Sequence, residues 1–215
     1  MGRSLYLPQR YREAMAILVD AARWPWRETL WCHLVSDRSL DELHEFAADL
    51  GCRRVSFQGD HYDIDVTTRT VAIERGAHAC DSRELVRRIR DAGLRARPST
   101  FEKWGLAHRG DAWTETTVAE LAAIDQPTVH SLLKQFSSHP DVVNAASRCS
   151  GWFVLHRENA AALVVHGSTA GVVGMDGLLP VGDDHGRGLF VRVGHEDDRP
   201  TWTVEMIWPT PQSHQ

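Results

Sequence analysis

Ser39-Leu40-Asp41-Glu42 and Asp81-Ser82-Arg83-Glu84 share the spacing of a helix N-terminus, a side-chain acceptor followed three residues later by a carboxylate. Leu40, Leu43, Phe46, Ala47 and Leu50 then recur at helical period until Gly51, and Leu85, Val86, Ile89 and Leu94 do so after the second start. Two helices with one apolar face each must be laid against a partner layer, and apolar runs before and between them supply it. Ala16-Ile17-Leu18-Val19 is a continuous apolar run ended by Asp20, which suits a buried strand. Leu30 to Ser36 reads as a second strand with Trp31, His33 and Val35 on one face and Cys32 and Leu34 on the other. A helix over Thr67 to Arg75 and a short strand near His78 to Cys80 complete an alternation of strands and helices, the pattern of an α/β module. With parallel neighbouring strands, Asp20 and Asp37 would both lie at carboxyl ends, where open α/β sheets place ligands.

The alternation lapses after Arg95. Residues 1–14 are read as an N-terminal extension, 15–95 as the α/β module, 96–111 as a linker containing Pro and Gly, and 112–215 as a smaller α+β domain with antiparallel strands. In that last region Thr117 to Ile124 and Pro127 to Phe136 are expected as helices. Leu189 to Val193 and Trp202 to Trp208 are expected as a hairpin whose Trp202, Val204, Met206 and Trp208 face the core. The glycine-rich stretch His166 to Gly174 lacks the phosphate-loop and dinucleotide spacings and reads as a turn between strands.

The chain carries a net charge of −5 over 215 residues, which argues against a nucleic-acid binder held mainly by counterion release. The charge is uneven: from Gly105 onward seven Arg and Lys face thirteen Asp and Glu, leaving the first 104 residues at +1. Cys32, Cys52, Cys80 and Cys149 contain no Cys-x-x-Cys pair, residues 1–14 contain no secretion signal, and no run approaches a membrane span. The expectation is a cytoplasmic protein with reduced thiols and no membrane partner.

Asp20, His33, Asp37, His44, Asp60, His61 and Asp63 lie close together in sequence, and all can bind a metal or move protons. His33, His44 and Asp60 are read as metal ligands, His61, Asp63 and Asp20 as proton-transfer groups, and Arg23, Trp24 and Arg27 as substrate contacts for a phosphate or a base. Each has a plainer reading: His33 and His44 as partly buried histidines, Asp60-His61-Tyr62-Asp63 as a turn, Trp24 and Trp26 as rings that close the core beside solvated arginines. None of the spacings matches H-E-x-x-H, a zinc finger or a calcium loop. Arg83, Arg87 and Arg90 form a stripe that is either a solvated helix face or a track for a phosphate backbone.

Arg23-Trp24-Pro25, Trp31-x-His33-Leu34, Glu42-Leu43-His44, Asp60-His61-Tyr62-Asp63 and Arg83-Glu84-Leu85 together resemble the bacterial and phage domain-of-unknown-function family 4031 over about Met15 to Arg95. That resemblance implies a compact module and brings no activity. The residues themselves support a hydrolase assisted by a divalent metal ion and acting on a phosphoester, a nucleotide or a nucleic-acid end. The alternative is a noncatalytic module that binds nucleic acid or a protein, so a phosphorylated small molecule, a nucleic acid and a protein all stand as expected partners.

Overall fold

The computed structural model describes residues 17–95, 103–168, 181–182, 188–196 and 199–209. The chain divides into two compact units, Met1–Phe101 and Glu102–Gln215. Both mix helices with a sheet, and the second sheet is antiparallel throughout. The N-terminal extension, residues 1–14, lies outside the described residues.

In the first unit β1 (Ile17–Val19), β2 (Trp24–Trp26), β3 (Thr29–Ser36), β4 (Tyr62–Asp65) and β5 (His78–Ala79) form one sheet, interleaved with α1 (Leu40–Asp49), α2 (Val66–Glu74) and α3 (Ser82–Asp91). All three residues of β1 are fully buried. β3 is the organising strand: Leu34–Ser36 pair with β1, Thr29–Trp31 with β2, and Trp31–Leu34 with β4 on the opposite edge. Alternation along these strands sends Ile17, Val19, Cys32, Leu34, Tyr62 and Ile64 to one face, packed on α1 and Ala72 of α2. Leu18 and Val35 point to the other face and meet Leu85 and Ile89 of α3. The two capped helices therefore lie on opposite sides of one sheet. Ser39 Oγ accepts from the Glu42 amide at 3.1 Å, and Asp81 Oδ1 accepts from the amides of Arg83 and Glu84, both at 2.9 Å.

Two expectations are corrected here. β1 and β3 are antiparallel, joined by the β2 hairpin, and among the described residues only β1 and β5 run parallel. Asp20 and Asp37 consequently lie at opposite ends of the β1–β3 ladder, and Asp37 is held by Arg88 at 2.5 Å. The segment read as a turn, Asp60 to Asp63, feeds directly into β4: Tyr62-Asp63-Ile64-Asp65 alternates buried and half-buried residues, and its ladder to β3 overrides the turn preference of the aspartates.

The second unit orders its strands β6-β7-β8-β11-β10-β9. These are β6 (Gly105–Gly110), β7 (Gly151–Arg157), β8 (Ala160–Ser168), β9 (Val181–Gly182), β10 (Gly188–Glu196) and β11 (Arg199–Pro209), with α4 (Thr117–Ala122), α5 (Pro127–Ser137) and α6 (Pro140–Ala146) between β6 and β7. Part of the expected linker is thus strand, because Gly105–Gly110 pairs with β7. Trp202, Val204 and Met206 are buried and Trp208 is partly so, all on the face that receives Leu132, Leu133 and Phe136 of α5. The glycine-rich stretch begins as the end of β8, and its residues 169–174 lie outside the described residues.

In this sheet glycines stand opposite rings. Gly110 pairs with Trp152 and Gly167 with Trp202, and a Cβ on either glycine would lie 2.8 and 2.7 Å from the facing indole. Trp152 Nε1 donates to Ala112 O at 2.9 Å and Trp202 Nε1 to Ser168 O at 3.0 Å, which anchors each ring over its glycine. Among the described residues no helix is long and apolar enough to cross a membrane.

Candidate functional site

Asp20 follows β1 directly and, by alternation from Val19, points to the same face as Leu18. It is 1% exposed, and its carboxylate is fully engaged. Oδ1 accepts from the His33 amide at 2.8 Å, while Oδ2 meets His33 Nδ1 at 3.0 Å and the Ser82 hydroxyl at 2.7 Å. Arg69 Nε donates to the Asp20 carbonyl at 2.6 Å. Burial pushes the Asp20 carboxyl up, but the hydrogen bonds from the His33 ring, Ser82 and the His33 amide outweigh it, so the group ionises below the ordinary carboxylate range.

Asp60 plays the same part for His61. It is 3% exposed, its Oδ1 lies 2.5 Å from His61 Nδ1, and its Oδ2 accepts from Arg95 at 3.0 Å. Each imidazole therefore donates Nδ1–H to a buried carboxylate and keeps Nε2 unspent. The rings meet edge to face with centroids 5.1 Å apart. Asp63 joins them because β3–β4 pairing sets it opposite His33. Asp63 Oδ2 accepts from Gln58 Nε2. Its Oδ1 is buried, has no hydrogen-bond partner, and lies 3.6 Å from His61 Nε2.

One ligand atom from each of His33, His61 and Asp63 falls within 4.8 Å of the others. Two imidazoles and one carboxylate form the donor set of a borderline divalent cation, and three protein donors leave coordination positions for water or substrate. The orphaned Oδ1 is the observation that fits a cation best, because a buried carboxylate oxygen without a donor is costly and an ion relieves it.

The sequence-expected residues distribute unevenly around this centre. His33, His61, Asp63, Asp20 and Asp60 come together, with Asp60 supporting His61 and lying outside the ligand set. Trp24 lies against the His33 ring at 4.4 Å. His44 does not join them. It sits on α1, on the other face of the sheet, with Nδ1 2.9 Å from the Tyr62 hydroxyl and its ring 4.5 Å from Phe57. Burial, with a smaller contribution from the Arg54 charge, pushes the His44 imidazole down to about 3, so it is neutral. Arg23 is exposed, and Arg27 stacks over Trp26 at 4.4 Å in the hairpin turn. Cys32, beside His33 in sequence, faces the α1 side, where burial pushes its thiol up to about 12.

Ser82, Gln58, Arg69 and Arg95 escaped the sequence reading. Ser82 is the first residue of α3, so the cap at Asp81 fixes its position, which is the one signal that could have found it.

Residues 17–92 match the family described as Protein of unknown function (DUF4031). The DUF4031 match covers all five strands and three helices of the first unit, and with them His33, His61 and Asp63. It stops before Arg95 and the whole second unit. No curated protein and no solved structure matches the chain.

Proposed function

We propose that the first unit holds a divalent metal ion between His33, His61 and Asp63 and uses it to hydrolyse a phosphoester, in a nucleotide or at a nucleic-acid end. The observation that carries this reading is the convergence of one donor atom from each of the three residues within 4.8 Å, beside an Asp63 Oδ1 that has no hydrogen-bond partner and lies 3.6 Å from His61 Nε2. A divalent ion there supplies a Lewis acid that polarises a phosphoryl oxygen and lowers the pKa of water. The chain's own residues do the rest. Asp20 and Asp60 fix both imidazoles in the tautomer that presents Nε2 and raise its basicity. Gln58 orients the Asp63 carboxylate. Trp24 walls one side of His33, and Arg23, its exposed neighbour in sequence, is the cation offered to a phosphate.

Metal content of the purified chain, followed by turnover of a chromogenic phosphodiester with and without chelator, tests this. Bound metal near one per chain and chelator-sensitive turnover, both lost in His33→Ala and His61→Ala, support the reading. Absence of binding to zinc, manganese or iron(II) overturns it, and so does turnover that survives chelation, since two imidazoles alone then act as acid and base.

A second reading, a noncatalytic module for nucleic acid or protein, is favoured by one observation: Trp26 and Leu30 are 51% and 42% exposed on the β2–β3 hairpin next to Arg27. It predicts binding without turnover.

A further inference from the structure

The β2–β3 hairpin carries a row of aromatic rings that the core does not use. Trp24 pairs with Trp31 and Trp26 with Thr29, so Trp24, Trp26, Trp31 and His33 all point to one face. From the tip inward, Trp26 meets Trp31 at 5.0 Å, Trp24 meets His33 at 4.4 Å, and His33 meets His61 at 5.1 Å. None of the three tryptophans belongs to a core cluster among the described residues, and Trp26 is half exposed. Trp31 Nε1 donates to Trp26 O at 2.9 Å, which fixes one ring relative to the other strand. The row is therefore a continuous surface that leads to the site, with a guanidinium, Arg27, already lying over its outermost ring.

We infer that this face stacks the unpaired bases of a single strand of nucleic acid whose end reaches His33, His61 and Asp63. The inference rests on the phosphoester reading and narrows its substrate to a strand. Aromatic rings outside a core, here inclined to their neighbours by 50°, 66° and 75°, bind bases that are out of a duplex stack, and they do so with little regard to sequence. Phosphate neutralisation alone cannot supply the affinity, because residues 1–104 carry a net charge of only +1. Stacking has to supply most of it, with Arg23 and Arg27 as the local cations.

The full chain is titrated against a fluorescent oligothymidylate of about a dozen nucleotides, a blunt duplex of equal length, and a mononucleotide. Tight binding of the single strand, at least about ten-fold weaker binding of the other two, and a similar loss in Trp26→Ala that Trp26→Tyr restores are the expected results. The salt dependence is shallow. Zinc stoichiometry of Trp26→Ala equals that of the wild type and shows that the variant is folded. Binding of the strand by Trp26→Ala at wild-type strength overturns the inference and leaves the metal reading standing, as does equal binding of duplex. Trp26-dependent strand binding by a chain that holds no metal overturns the phosphoester reading and leaves the stacking face standing.

Discussion

His33 and Asp63 stand directly opposite each other across the β3–β4 ladder, so a single backbone register brings an imidazole and a carboxylate oxygen without a hydrogen-bond partner to the same spot. The supports come from elsewhere: Asp20 from the end of β1 and Asp60 from the segment before β4. Asp20→Asn or Asp60→Asn keeps all three donors but loses the carboxylate that orients one ring. Zinc affinity is expected to fall roughly 10–100-fold in either variant, and further in His33→Ala, His61→Ala or Asp63→Asn. Ser82→Ala, which removes one of three hydrogen bonds to the Asp20 carboxylate, is expected to produce a smaller loss. Titration calorimetry reads the series, and equal affinity in Asp63→Asn and wild type rules the ligand set out.

His44 makes stability depend on pH. Its folded-state value, about 3, lies below the ordinary histidine value, so the unfolded chain takes up the proton first as pH falls. The stabilisation is complete above the ordinary value and is lost as pH drops toward the folded one. Between pH 7 and 5.5 the loss is about 1 kcal/mol. Urea unfolding at the two pH values measures it, and the difference between them should shrink in His44→Gln. An undiminished difference places the proton uptake elsewhere.

The hairpin turn carries strain. Arg27 and Glu28 have φ of 47° and 64°, and they are the two residues between Trp26 and its partner Thr29. A two-residue hairpin loop of type I′ has positive φ at both positions, which matches the strand twist, and Asn-Gly adopts it at less cost than Arg-Glu. Glu28→Gly is expected to raise stability by about 1 kcal/mol, visible as a higher urea midpoint with an unchanged slope. A lower midpoint means that Glu28 makes a contribution larger than its backbone cost.

In the second unit Gly167→Ala places a methyl group 2.7 Å from the Trp202 indole, too close to stay without displacement. The ring is buried and tied to Ser168 O, so it cannot swing out freely. A loss of about 1–3 kcal/mol and a change in tryptophan fluorescence are expected. Gly51→Ala is a contrasting control, since nothing lies within 4 Å of its Cβ position and its cost is confined to the φ of +81°.

The helices and their faces were legible because caps and apolar periodicity are local: Ser39, Asp81 and the Leu43–Phe46 face all sit where the spacing places them. Strand direction was not, because β1 and β3 are antiparallel only through the hairpin at Trp24–Trp26, whose turn lacks the usual Asn-Gly signature. The site was half legible. Density of His and Asp pointed to the right segment, but choosing among them needs to know which face each side chain takes. His44 and His61 differ in that alone, His44 lying with Tyr62 on the α1 side and His61 beside His33 on the α3 side. Had Tyr62-Asp63-Ile64-Asp65 been read for its period of two, the opposite orientation of Tyr62 and Asp63 would have followed.

Asp20 belongs to more of the fold than any ligand it helps to place: through it the end of β1 is tied to the backbone and ring of β3, to Arg69 of α2 and to the first residue of α3. An ion bound by His33 would therefore act on a joint shared by four elements. The ordering that coordination ordinarily demands has already been met when the chain folds, so little entropy is left to lose on binding. In return, occupancy should register far from the ligands, as slower hydrogen exchange of the amides in the first turn of α3, which touch no donor atom themselves.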